Sequence, residues 1–411
     1  MVSETHMPPG WRLAAFGECA VLVRDTVSPT NLGDMPYVGL EHVGEGTLSL
    51  ASSGVATEVT STKSRFISND VLFGKLRPYL RKVARARFDG ICSTDIWVVR
   101  PTEGVDAGYL FHVMASQKFV DAATRGSEGT KMPRAKWDLV SRIRLSLPPL
   151  EEQRCITTML DSIDDAIERT DEVIAAIEQL KDSLLHELLT RGVPGWHTEW
   201  KEARGLGTVP ASWDVVQLGD VADVVMGQSP PGKTVSGWSG GNCGDGGLPF
   251  IQGNAEFGAK YPSPIKWCSR PLKVARCGDI LISLRAPVGE TSRVDRTLGI
   301  GRGLAAIHFT GVAEAFGWHA LNQAKRAFDR IAQGSTFEAI GSNELRSLPI
   351  LLPPLAEHCA IAATLDSIDA TLERAREERT ALRSLKTSTA DALLTGRLRT
   401  ALGRWSMPNV P

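Results

Sequence analysis

Two stretches of this 411-residue sequence decide the fold: residues 147–169, LPPLEEQRCITTMLDSIDDAIER, and residues 352–374, LPPLAEHCAIAATLDSIDATLER. The second stretch begins 205 residues after the first, which is half of the chain, and the run LDSID occurs in both at that offset. A fixed offset of this kind is the signature of an internal repeat. The sequence therefore predicts a duplicated unit, each copy of which ends in the same kind of segment.

Both stretches are predicted to begin long helices. Paired prolines suit a helix start, and acidic residues in the first turn are favoured by the helix dipole. Glycines 192 and 396 mark the ends. Apolar residues step by alternating four and three, which is typical of a coiled-coil seam. The seam positions are Leu160, Ile163, Ile167, Ile174 and Leu188 in the first helix, and Leu365, Ile368, Leu372, Leu382 and Leu393 in the second.

Weaker similarities extend the duplication upstream of each helix. PPGWRLAAFGE at 8–18 resembles PASWDVVQLGD at 210–220, and NDVLFGKLRP at 69–78 resembles GDILISLRAP at 278–287. Apolar runs of strand length and segments of helical period predict mixed α/β modules. The predicted fold is α+β, with two such modules joined by two long antiparallel helices in pseudo-two-fold symmetry. The predicted segments are 1–146 and 192–351 for the modules, 147–191 for the first helix, and 352–411 for the second helix and tail.

Positive charge gathers at corresponding places in the two modules, although the net charge is only −1. Residues 63–87 hold eight basic residues against one acid, and residues 260–302 hold nine against three. Arginine grips phosphate or guanine with two parallel hydrogen bonds, so this pattern favours nucleic-acid binding. The candidate DNA-binding residues are Lys75, Arg77, Arg81, Lys82, Lys131 and Arg134 in the first module, and Gln252, Asn254, Arg285, Arg293 and Arg302 in the second.

One short motif suggests a different chemistry. GQSPPGKT at 227–234 fits the pattern of a phosphate-binding loop. Such a loop aims backbone N–H groups at phosphates, and prolines 230 and 231 have none. The glycine-rich residues that follow are also unsuited to the helix that a phosphate loop requires. We therefore predict a surface loop.

No catalytic residue and no metal site are predicted from the remaining motifs. The amino-methyltransferase element D/N-P-P-Y/F is absent, and the seven cysteines include no C-x-x-C pair. The sequence has no secretory leader and no apolar run long enough to span a bilayer. These absences predict a cytoplasmic protein with no membrane partner.

The order of module, LPPLEEQ helix, module and LPPLAEH helix resembles the specificity subunit of type I restriction-modification enzymes over nearly the whole chain. The resemblance implies that each module is a target-recognition domain for one half of a bipartite double-stranded DNA sequence. It implies helices that set the spacer and dock two methyltransferase subunits, and through them the restriction and motor subunits. The ten seam residues named above are the candidate spacer and partner-docking positions. It also implies no cofactor in this chain, with S-adenosylmethionine, ATP and Mg²⁺ on the partner subunits. His358 departs from the first copy, which has Gln153, and we expect it to weaken that helix start locally.

Two alternatives stay open at this point. A scaffold for protein partners would use the same helices but would give the basic residues no role. A nucleotide-binding protein would need the loop at 227–234 to hold phosphate. Salt-dependent DNA binding separates these functions, because neutralised DNA phosphates release counterions.

Overall fold

The computed structural model describes residues 8–46, 48, 50, 52–128, 132–203, 205–238, 247–258, 260–332 and 340–400. The chain forms two compact units, Met1–Asp171 with Glu377–Pro411, and Glu172–Arg376. Each unit holds one module, the first half of the helix that follows that module, and the second half of the other helix. The units thus divide both long helices near their middles.

The first module contains two main sheets, one of four strands and one of five. Its strands are β1 (Arg12–Ala15), β2 (Ala20–Leu22), β3 (Thr26–Val27), β4 (Pro36–Val38), β5 (Gly54–Val55), β6 (Lys63–Phe66), β7 (Val71–Gly74), β8 (Val83–Arg85), β9 (Gly90–Cys92), β10 (Ile96–Pro101), β11 (Ser127–Glu128), β12 (Arg134–Ala135) and β13 (Arg144–Leu147). Its helices are α1 (Phe16–Cys19), α2 (Ala107–Ala115), α3 (Gln117–Arg125) and α4 (Trp137–Val140), and α5 (Leu150–Thr190) follows.

The second module repeats this plan. Its strands are β14 (Trp200–Ala203), β15 (Gly207–Pro210), β16 (Asp214–Gln217), β17 (Ala222–Met226), β18 (Val235–Gly237), β19 (Leu248–Ile251), β20 (Lys266–Cys268), β21 (Val274–Ala275), β22 (Ile280–Ser283), β23 (Thr291–Arg293), β24 (Leu298–Ile300), β25 (Leu304–Phe309) and β26 (Pro349–Leu352). Its helices are α6 (Leu218–Val221), α7 (Glu314–Ala332) and α8 (Ser342–Arg346), and α9 (Leu355–Leu394) follows.

The sheet topologies confirm the duplication. The first module has an antiparallel sheet of order β2-β10-β7-β8, and the second has β17-β25-β22-β23. Each module also has a five-stranded sheet with one parallel pair, β4 with β9 and β19 with β24. In each, a two-stranded pair (β1 with β13, β16 with β26) joins the start of the module to the strand just before its long helix.

The long helices belong to the cores of the modules. In the first unit, Ile156 and Leu160 of α5 and Leu393 of α9 are fully buried among the aromatic side chains of the module. In the second unit, Leu188 of α5 and Leu365 of α9 occupy the matching positions. Module and helices are therefore held together by the hydrophobic effect within each unit.

Within each unit the helix halves run antiparallel, as predicted. In the second unit Glu178 pairs with Arg376, and Lys181, three residues later, pairs with Asp369, seven residues earlier. In the first unit Asp164 pairs with Lys386 in the same way. The predicted seam residues all lie on the buried or half-buried side of their helices. Both helices are followed by a glycine in the left-handed region, Gly192 (φ 79°) and Gly396 (φ 74°).

A buried glutamate ties each helix start to its module. Glu152, fully buried, accepts a hydrogen bond from the Trp11 indole at 2.9 Å and pairs with Arg399, which follows α9. Glu357 accepts a hydrogen bond from the Trp213 indole at 2.8 Å and is 2.6 Å from the ring of His197, which follows α5. Each glutamate thus joins one module, the start of one helix and the chain beyond the other helix.

The residue that follows this glutamate is Gln153 in the first copy and His358 in the second, and the two differ in their hydrogen bonds. The buried Gln153 amide accepts a hydrogen bond from Asp106 N and donates to the carbonyl oxygens of Pro148 and Gly104. His358 is equally buried and stacks on Phe316, but neither ring nitrogen has a hydrogen-bond partner in the described part of the chain. Burial lowers the pKa of His358, so its ring is neutral at pH 7.

We expect His358→Gln to raise the free energy of unfolding by about 1–2 kcal/mol, because it removes two buried ring nitrogens that lack partners and supplies the amide that makes three hydrogen bonds at the matching Gln153. The reciprocal change Gln153→His, made as the control, should lower it by a similar amount. Urea unfolding of the purified chain measures both values. A destabilising His358→Gln would show that the histidine has a favourable role at this position.

Candidate nucleic-acid interface

The loop between β7 and β8 presents basic side chains on a constrained turn. Arg77 (φ 51°) and Arg81 (φ 53°) both adopt left-handed backbone conformations, which cost free energy in residues other than glycine. Between them lies a short 3-10 turn, Pro78–Leu80, with Pro78 buried. The Arg77 side chain is exposed, and Lys75 is half-buried. The surrounding structure thus holds Arg77 outward on a defined turn.

An aromatic residue that the sequence reasoning missed lies on the same turn. Tyr79 is 53% exposed. Aromatic rings that are held exposed suit stacking on bases or contact with thymine methyl groups. The sequence could have indicated Tyr79 by its position between Arg77 and Arg81 in the basic run at 63–87.

Other basic candidates of the first module have protein partners. Arg81 donates from Nε to the Ala115 carbonyl oxygen at 2.7 Å, and burial lowers the pKa of its guanidinium. Lys82 donates to the Leu40 carbonyl oxygen at 2.8 Å and lies near Glu45. Arg134 pairs with Asp95 at 3.1 Å while remaining exposed. Lys131 lies outside the described residues.

In the second module the candidates likewise divide into two groups. Arg285, in the loop between β22 and β23, is exposed, and so is Arg302. Gln252 is exposed and accepts a hydrogen bond from Lys266 at 3.1 Å, whereas Asn254 is half-buried and lines a cavity. Arg293 points inward, and its side chain is only 12% exposed.

Arg293 joins the second module to α9. Its Nε donates to Glu314 at 2.8 Å, and its guanidinium lies 3.4 Å from Asp366. The strand register places Arg85 of the first module at the matching position, and Arg85 pairs with Asp161 of α5 at 2.9 Å. Both arginines therefore bind their module to a long helix, a role that the charge pattern alone did not reveal.

Each arginine belongs to a larger group of polar residues. The first polar cluster comprises Arg85, His112, Asp161, Asp164 and Lys386, and the second comprises Arg293, His319, Asp366, Asp369 and Lys181. Burial lowers the pKa of His112, although its hydrogen bond to Asp161 opposes the effect. Burial lowers the pKa of His319 to about 4. Both rings are therefore neutral at pH 7.

The loop at 227–234 lacks the structure of a phosphate cradle. Its last residues form a 3-10 turn, Gly232–Thr234, and the chain continues into β18 rather than into a helix. The Thr234 hydroxyl donates to the Pro231 carbonyl oxygen. This geometry agrees with a surface loop. Among the helices of the described ranges, none is both long enough and apolar enough to cross a bilayer.

Comparison with known proteins assigns the fold to a family. The family model for the type I restriction modification DNA specificity domain matches residues 18–179 and again residues 210–381. The chain belongs to this family. Because each match covers one module with most of the helix that follows it, the chain is a type I specificity subunit with two target-recognition modules. Such a subunit recognises DNA for its complex and is not the catalytic one.

Individual relatives agree with this assignment. A Methanocaldococcus jannaschii protein named as a candidate MjaX type I specificity subunit is 30% identical, over 96% of this chain and 95% of its own. The Escherichia coli EcoDI specificity subunit is 28% identical over 44% of this chain and 41% of its own. A structure described as showing complex assembly and conformational transition of a type I R-M system has 31% identity and a TM-score of 0.62, covering 96% of this chain and all of that one. A type I S subunit from M. genitalium, 12% identical with a TM-score of 0.63 over 96% of this chain and 98% of that one, shares the fold.

We expect Arg293→Ala to lower the free energy of unfolding by about 1–3 kcal/mol, because Glu314 and Asp366 lose their cation. Arg285→Ala, the matched control in the same module, should change it by less than about 0.5 kcal/mol, since its side chain is exposed. Chemical unfolding of both variants decides between a structural and a surface role. Equal stability of the two variants would contradict the inward role of Arg293.

Proposed function

We propose that each module binds one half of a bipartite double-stranded DNA target, chiefly through the loop that follows the third strand of its four-stranded sheet. The observation that carries the proposal is the exposure of Arg77 in the β7–β8 loop and of Arg285 in the matching β22–β23 loop. Duplicated topology thus presents an arginine from the same part of each module. Arginine can bind O6 and N7 of guanine in the major groove, which gives sequence recognition as well as affinity.

Further side chains support the same surface. Lys75 and Tyr79 accompany Arg77, and Arg302 and Gln252 are exposed in the second module. Glutamine can read adenine through its amide, and lysine can neutralise phosphate. Because the two loops differ in sequence, we propose that the two half-sites differ as well.

The two modules are proposed to read independently, with the long helices fixing the spacer between half-sites. Each module has a core of its own, and helix residues complete that core. A substitution in one loop should therefore disturb the packing of its own unit only.

We propose that the outer faces of the helices dock two methyltransferase subunits. The seam residues are buried or half-buried and so offer a partner little surface: Leu160, Ile163, Ile167, Ile174 and Leu188, with Leu365, Ile368, Leu372, Leu382 and Leu393. Leu180 and Leu385, by contrast, are about half exposed (50% and 51%) and occupy matching positions of α5 and α9. A duplicated surface offers the same contact twice, which supports two copies of the partner.

The chemistry of the complex is proposed to reside in those partners. Methyltransferase subunits would bring S-adenosylmethionine for adenine methylation, and restriction or motor subunits would bring ATP and Mg²⁺. The complex would act on DNA in the cytoplasm. This chain would supply the choice of sequence.

For the proposed DNA-reading loops we expect Arg77→Ala to relax base specificity in one half-site and Arg285→Ala to relax it in the other. A lost base contact should cost about 1–3 kcal/mol at one position. A lost phosphate contact would instead weaken binding to every sequence and reduce the salt slope by about one unit. Binding to a library of randomised duplexes at several salt concentrations measures both effects.

Arg144→Ala is the control, because it removes one exposed charge from β13, outside the reading loop. It should leave both half-sites intact. The loop assignment fails if Arg77→Ala alters both half-sites, or if neither loop variant changes binding at any salt concentration. Binding that is independent of salt would favour the protein scaffold instead.

For the docking faces we expect a complex of one chain with two methyltransferase subunits, and loss of one copy in either Leu180→Glu or Leu385→Glu. A charge placed in a contact of this kind is not compensated when it is desolvated. Native mass measurement of the purified complexes gives the stoichiometry. Ile265→Glu, at an exposed apolar residue of the second module, is the control and should keep both copies. A one-to-one complex of the natural chain at saturating partner would contradict the proposal.

A further inference from the structure

The two polar clusters contain the same types of residue but are not equivalent. In each, a histidine of the module and two aspartates of the long helix place possible ligand atoms within 4.8 Å of one another. In the first, His112 Nε2 is hydrogen-bonded to Asp161 at 2.8 Å. In the second, His319 Nε2 lies 3.4 Å from Asp366 and makes no hydrogen bond to any described group, although the residue is only 1% exposed.

A second buried atom of the same cluster also lacks a partner. Lys181 Nζ lies 2.5 Å from Oδ1 of Asp369, but Oδ2 of that carboxylate has no hydrogen bond in the described structure. Buried polar atoms without partners are costly and rare in folded proteins. An imidazole nitrogen and a carboxylate oxygen of one cluster, both buried and both without a partner, indicate a group that binds both.

The two clusters also differ in net charge, and the second is the more negative. In the second, the carboxylates of Asp366, Asp369 and Glu314 face two cations, Lys181 and Arg293. In the first, two carboxylates face Arg85 and Lys386, with Arg81 nearby. The difference arises partly because α7 begins with Glu314 whereas α2 begins with Ala107. Among these groups, the second cluster therefore keeps an excess of negative charge.

The second cluster also has access to solvent. A cavity of about 390 Å³ within the second unit is lined by His319 and Lys181, together with polar side chains that include Glu290 and Asn322. An ion could enter through this cavity, and a water molecule there could complete its coordination.

We propose that His319, Asp366 and Asp369 bind a divalent ion of the Zn²⁺ type, which fastens the second module to α9. Zinc takes nitrogen and oxygen ligands at about 2.0–2.1 Å, so tetrahedral ligand atoms lie about 3.4 Å apart. The observed separation of His319 Nε2 and Asp366 has this value. Lys181 can stay on Oδ1 of Asp369 while the ion uses Oδ2.

The Nε2 atom of His319 is available for this role, because it makes no hydrogen bond to any described group. Metal binding requires a deprotonated imidazole. In the first cluster the corresponding nitrogen is already occupied by Asp161, which makes that cluster a built-in control.

Calorimetry with Zn²⁺ alone, and Co²⁺ absorption as the spectroscopic probe, test the proposal on the full-length chain. We expect about one ion per chain. Bound Co²⁺ should give visible absorption bands typical of a low-symmetry site with nitrogen and oxygen ligands. A thiolate-to-cobalt band in the near ultraviolet would place the ion on a cysteine, such as the exposed Cys277 or Cys359, and would overturn the assignment. Failure of the natural chain to bind either ion would overturn it as well.

Matched histidine variants locate the ion. His319→Gln should weaken binding by about tenfold or more, whereas His112→Gln should leave it unchanged. Circular dichroism of each variant reports whether it folds. Equal effects of the two changes, or no effect of His319→Gln, would refute the site.

A change of opposite sign keeps the test decisive if His319→Gln does not fold. Lys181→Met removes a competing cation and should tighten Zn²⁺ binding by about tenfold. Asp369→Asn, which lacks the charged ligand oxygen, should weaken it by a similar factor. Unchanged affinity in both variants would exclude the cluster as the binding site.

Discussion

The structure depends on the burial of one apolar seam on each long helix. Neither α5 nor α9 can bury its seam on its own, and within each unit the other long helix helps to cover it. The first half of one helix packs against the second half of the other, and the module covers the end of the pair. Burial of a leucine such as Leu160 or Leu365 contributes about 1.5–3 kcal/mol, so several such residues outweigh any single polar contact. Module and helices consequently share a core, and β7 and β22, the strands that precede the proposed reading loops, contribute to it.

Apolar packing alone does not choose the register of two helices, and the polar residues of the seam supply that choice. Lys181 meets Asp369 and Lys386 meets Asp164, so the same contact occurs once in each unit. A shift by one turn would leave these partly buried charges unpaired, which is strongly unfavourable. Glu152 and Glu357 act similarly at the helix starts, where each is bound to the tryptophan of its module.

The repeat, the seam and the helix ends could be predicted from sequence, because a helical period places residues on one face directly. The direction of the basic side chains could not. Arg285 and Arg293 belong to the same basic run, yet only the latter meets Glu314 and Asp366, which lie 21 and 73 residues away along the chain. Such partners are fixed by tertiary packing and not by local pattern. The strand register that aligns Arg85 with Arg293 was the missing information, and the orphaned nitrogens of His358 and His319 likewise appear only when the neighbours are known.

The most direct measurement is a map of modified adenines in cells that produce this chain together with its methyltransferase subunit. The account predicts a bipartite target, with two different half-sites separated by a spacer of fixed length. Replacement of residues 192–351 by the second module of another family member should change one half-site and leave the other half and the spacer unaltered. A continuous target, or a replacement that changes both half-sites, would contradict the claim that two independent modules read the DNA.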